Sequence, residues 1–136
     1  MLRLSAVLSV LLATLALGAV AGCGGSDESE EEAATPAEAV AEIKEIKTLL
    51  ATAVDQVRSG DADTAEETVG DAYLEHFEHV EAPLGERDHD LMEELEEAIS
   101  TDLRNDIKAG KSAEEIETKV DEIDADLDKA VVVLQS

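Results

Sequence analysis

The sequence has no tryptophan, one tyrosine and one phenylalanine, so any folded core must be built from aliphatic side chains. Two prolines in 136 residues leave long stretches free of helix breakers. With one cysteine, Cys23, the chain forms no internal disulfide and offers no multi-thiolate zinc site. Positive charge is scarce as well: 10 Lys and Arg against 34 Asp and Glu give a formal net charge of −24. A chain without a basic footprint is excluded from nucleic-acid binding, and anionic headgroups repel it. Cations are its natural small partners, although acid spread over a solvated face for solubility also accounts for the composition. The signatures of catalysis are missing too. There is no HExxH, no EF-hand loop, no phosphate-cradling glycine loop and no serine or cysteine nucleophile placed with a histidine. No acid pair stands apart from the acidic background as a glycosidase dyad. No enzymatic activity is expected.

What is present begins with an export signal. Arg3 is followed by an apolar run at 4–20, LSAVLSVLLATLALGAV, too short for a stable span, and then by small residues ending in a cysteine, VAGC at 20–23. The placement of Cys23 resembles the bacterial lipobox, in which the cysteine is lipidated and becomes the first mature residue. Residues 1–22 are therefore expected to be a lipoprotein signal peptide. Cys23 is expected to anchor the protein to the extracytoplasmic face of the cell membrane, with two acyl chains making attachment stable. Residues 24–35, GGSDESEEEAAT, cannot bury a core and read as an acidic, hydrated tether. A chain of that length spans on the order of 20 Å root-mean-square.

From Thr35 the pattern becomes helical, and residues 36–136 read as one domain. TPAE at 35–38 supplies an N-cap, a proline at the first helical position and a reciprocal capping glutamate. Val40, Ile43, Ile46, Leu50, Val54 and Val57 follow at helical spacing until Ser59-Gly60. A second helix is predicted from Asp61 or Asp63 to about residue 81, through Ala65, Val69, Ala72, Tyr73, Phe77 and Val80, with Gly70 weakening its middle. The Ala-Pro-Leu-Gly stretch at 82–85 is expected to break it. A third helix is predicted over 88–109 through Leu91, Leu95, Ile99, Leu103 and Ile107, closed by Gly110. A second capping box, Ser112 to Glu115, opens a fourth through Ile116, Val120, Ile123, Leu127, Val131 and Leu134. The simplest fold is all-α, an up-down-up-down four-helix bundle behind a lipidated tether.

Chemistry-bearing residues concentrate at 73–90, YLEHFEHVEAPLGERDHD, which holds all three histidines together with the lone tyrosine and phenylalanine. On a wheel at 100° per residue, His76 falls with Val69 and Val80 in the apolar stripe, and His79 lies at its edge. Glu78 and Glu81 pair at i, i+3 on the opposite, wetter flank. Imidazole and carboxylate together suit iron, zinc, manganese or copper. The competing reading makes His76 a core residue bonded to a neighbouring helix and the glutamates solvent-facing. A di-iron bundle needs two Glu-x-x-His motifs on different helices, and only Glu86 to His89 fits, in a loop or first turn.

Residues 72–84, AYLEHFEHVEAPL, and 90–130 resemble the extracytoplasmic helical domain of bacterial high-affinity iron permeases. The matching positions are Tyr73, Phe77, Glu78 and Glu81; then Leu91 with Leu95-Glu96; then Leu103, Arg104, Ile107 and Gly110. The permeases' transmembrane part has no counterpart after residue 23, so the expectation is a freestanding, lipid-anchored version that does not itself transport. The resemblance implies a cation-binding lipoprotein, most plausibly for iron, in or beside an iron uptake system. Glu78, Glu81 and Glu96 are its candidate ligands, with His76, His79 and His89 nearby. The expected partners are the membrane, through the lipid, and an iron permease or other envelope protein. The alternative is a non-catalytic helical interaction module of the envelope that binds no metal.

Overall fold

The computed structural model describes residues 34–136. The signal peptide, Cys23 and nearly all of the tether therefore lie outside the described residues. Every regular element among the described residues is helical, and none of those helices is long and apolar enough to cross a membrane.

Four helices follow one another. The first is Pro36–Ser59 and the fourth is Ala113–Leu134. The second covers 62–85, as Ala62–Asp71, a π-helical segment Ala72–Phe77 and Glu78–Gly85. The third covers 89–108, as His89–Glu97, a π-helical segment Ala98–Leu103 and Arg104–Lys108. Their starts are set by side chains that accept orphan backbone N–H groups, from Thr35, Asp61, Asp88 and Ser112. Both capping boxes form, Thr35 with Glu38 and Ser112 with Glu115. Gly60 and Gly110 end the first and third helices at φ 85° and 74°, a left-handed conformation that a Cβ disfavours.

The expected break at 82–85 does not occur. The second helix runs through Pro83 to Gly85. Pro83 stands in the last turn, where its missing N–H removes a single helical bond, and its buried ring packs inward. The Arg87 guanidinium donates to the Pro83 carbonyl at 3.0 Å, so the chain turns after residue 85.

The core is aliphatic apart from Phe77, and no polar side chain is fully buried among the described residues. Ile43, Ile46 and Leu50 of the first helix meet Val69, Phe77, Val80 and Leu84 of the second, Leu95, Ile99 and Leu103 of the third, and Ile116, Ile123 and Leu127 of the fourth. The first helix packs against the second and fourth, and the third packs against the same two. Cross-helix ion pairs follow those neighbours. Arg58 meets Glu117 at 2.7 Å and Lys47 meets Asp128 at 2.8 Å between first and fourth helices. Lys119 meets Asp102 between fourth and third, and Glu66 takes both Arg104 and Lys108 between second and third. Gly70 lies beside that last pair, and a Cβ there would rest 3.8 Å from the Arg104 guanidinium carbon, an ordinary contact, so the pair does not require glycine.

The π segments explain the positions of the core residues. Ala72 and Phe77 are both fully buried although five residues apart, a step no α-helical stripe takes. The wide turn, closed by a bond from the Glu78 N–H to the Tyr73 carbonyl, absorbs one residue. On an unbroken α-helix Phe77 would stand about 80° from Val69, and with one residue absorbed it stands about 20° away. His76 leaves the stripe as Phe77 enters it. The third helix shows the same device: Leu91, Leu95, Ile99, Leu103 and Ile107 step by fours, a drift that its own π turn corrects.

Candidate functional site

The six residues expected as one ligand set occupy three places. Glu78, Glu81 and Glu96 gather between the second and third helices around Tyr73. His76 turns the other way, toward the first helix, where its Nδ1 lies 2.7 Å from Glu42 Oε2. It is half-buried, so the expectation of an inward-facing core histidine is corrected to a boundary residue paired across helices. His79, exposed, lines a groove with Glu38 and Glu42 of the first helix. His89 opens the third helix and pairs with Glu93 at 3.4 Å, out on the surface. Glu86, the other half of the Glu-x-x-His motif, is exposed in the turn before it.

The glutamate cluster owes its geometry to the π turn. Tyr73 and Glu81 would diverge by about 80° on a straight helix, and the absorbed residue brings them to about 20°. Glu96 comes from the last α-turn before the third helix's own π segment. The Tyr73 ring stacks on Phe77, centroids 6.1 Å apart, so it is held by the core.

Electrostatically the cluster is uncompensated. The Glu81 Oε1 atom is enclosed and has no hydrogen-bond partner. Burial pushes the Glu81 carboxyl above its ordinary range. Hydrogen bonding from the Tyr73 hydroxyl pulls it back, and the charges of Glu96 and Glu78 push it further up. Tyr73 itself is pushed up to about 12, by burial first and then by Glu81, Glu96 and Glu78. The second helix carries no lysine or arginine, and those of the third, Arg104 and Lys108, are committed to Glu66. Under that double pairing Glu66 is held below the usual carboxylate range. Two glutamates on the same helix thus have opposite environments, one neutralised and one left in need of a positive charge.

An oxygen-only donor set of carboxylates and a phenol suits hard cations, ferric iron included. Among the described residues, however, no three His, Cys, Asp or Glu side chains already stand at metal-ligating separation. Sequence reasoning missed Tyr73 as a polar member, and Glu42 altogether. The signal for Tyr73 was available: Tyr73, Phe77 and Glu81 step by fours, as the third helix does. No family model, curated protein or solved structure matches the chain.

Proposed function

We propose that this protein is a membrane-anchored extracytoplasmic lipoprotein that binds a cation, iron first among them, through Glu78, Glu81 and Glu96 with the Tyr73 hydroxyl beside them. The observation that carries this reading is the enclosed, partnerless Glu81 oxygen among like charges. A buried carboxylate oxygen left without a donor is costly, and a bound cation would remove that cost. The net charge of −24 raises the local concentration of any cation around the molecule. The likeness of residues 72–84 and 90–130 to the helical domain of iron permeases supplies the choice of iron and an iron permease as partner. The anchor rests on Cys23 and its preceding segment. Arg58 near the end of the first helix pairs with Glu117 near the start of the fourth, and Lys47 eleven residues earlier pairs with Asp128 eleven residues later, an antiparallel match that supports up-down-up-down connectivity.

The protein would hold the ion without catalysis. Calorimetric titration of the protein with ferric ion should give saturable binding near one equivalent, lost in the double variant Glu78→Ala/Glu81→Ala. A stoichiometry near zero, or an affinity unchanged in the double variant, defeats the cation reading and leaves the interaction module. Labelled palmitate should enter the wild-type chain in cells and not the Cys23→Ala chain.

A further inference from the structure

On the flank of the second helix that faces the first, a different donor set assembles. His76 and His79 are three residues apart on the second helix. The first helix brings Glu38 and Glu42, one turn apart, against them. His76 Nδ1 stands 2.7 Å from Glu42 Oε2, and His79 lines the groove that Glu38 and Glu42 also line, so Glu42 is common to both histidines. The Glu38 carboxylate is taken up by the Thr35 backbone N–H at 2.7 Å and hydroxyl at 2.6 Å, which leaves Glu42 as the free acid of the group.

We infer that His76, His79 and Glu42 form a second cation site, for a divalent transition metal of the zinc type, separate from the glutamate cluster. Two imidazoles and one carboxylate are the ligand set that borderline metals prefer, whereas the oxygen-only cluster across the helix favours hard ions. The site closes by small motions. The proton now shared by Nδ1 and Oε2 gives way to the metal, and the two atoms widen from 2.7 Å to roughly 3.3 Å, the span of ligands about 2.0–2.1 Å from a tetrahedral ion. His79, exposed, rotates in to complete the set. Three protein ligands leave a fourth position open to water or an exchanging ligand, a site suited to taking up and releasing metal.

The test is a zinc titration of the whole chain in detergent, in a large excess of magnesium to occupy carboxylates non-specifically, followed by calorimetry and by the ring-nitrogen resonances of the three histidines. His89 serves as an internal reference, because it lies elsewhere with Glu93. The expected result is one magnesium-resistant zinc equivalent that shifts His76 and His79 and leaves His89 nearly still. Affinity should fall at least tenfold in His79→Ala and in Glu42→Gln, and stay within twofold in His89→Ala. Zinc affinity that survives His79→Ala overturns the assignment. So does a shift confined to His89, or binding abolished by magnesium.

Discussion

Phe77→Ala is expected to destabilise the protein by about 3–5 kcal/mol, the largest loss from any single side chain here. Phe77 is the only phenylalanine, is 0% exposed, and is the bulkiest fully buried side chain in an otherwise aliphatic core. It belongs to a core cluster whose other large members are Leu, Ile and Val, and its segment packs against the first and third helices, so truncation leaves a cavity among side chains already tied into their own contacts. Against the 5–15 kcal/mol typical of a folded domain, the loss approaches complete unfolding. Urea denaturation followed by circular dichroism measures it. Phe77→Leu should cost under about 1.5 kcal/mol, because volume is largely kept. The companion measurement is His76→Ala, which should lose only the boundary pair with Glu42, on the order of 1 kcal/mol. On a straight α-helix the ranking would reverse, with residue 76 inside and residue 77 at the edge. A larger loss for His76→Ala than for Phe77→Ala would therefore refute the π segment at Ala72–Phe77.

That ranking also marks what the residues disclosed directly. Caps and stripes were legible because they rest on short-range rules: Thr35 and Ser112 with their glutamates, the left-handed glycines, and the apolar period of the first and fourth helices stand where the pattern puts them. The rotation of the second helix was not legible on a wheel at fixed pitch. His76 and Phe77 exchanged places, and the expected ligand set divided between two neighbouring helices. The cue was the five-residue step from Ala72 to Phe77, and the unbroken fours from Leu91 to Ile107 repeat it. Pro83 misled for a related reason. Proline beyond the first turn removes one helical bond, but in a final turn that loss ends nothing. That Glu81 is the enclosed member depends on tertiary burial, which spacing does not encode.

Glu81→Gln is expected to abolish cation binding at the glutamate cluster and, at neutral pH, to make the protein more stable by on the order of 1 kcal/mol. The sign follows from linkage. The folded carboxyl is raised above its unfolded value, by burial foremost and by Glu96 and Glu78 after the opposing Tyr73 bond. Across the window between those two values the folded state binds the extra proton, so stability falls as pH rises through it, and the whole penalty is present above the folded value. Glutamine keeps the shape and carries no charge, so it removes that penalty. Wild type and variant should therefore converge below the unfolded carboxyl range and separate above the folded value, an order checked by urea midpoints across pH. Tyr73 reports the same change from within the site. It is the only tyrosine in a chain without tryptophan, so tyrosinate absorbance reads it alone. Its titration, pushed up to about 12 in part by Glu81, should move back toward the ordinary phenol range in Glu81→Gln. A variant that is less stable at neutral pH, with an unmoved tyrosine, would mean that Glu81 is already compensated. Gain of stability with loss of binding is the pattern of a residue retained for a ligand against the interest of the fold.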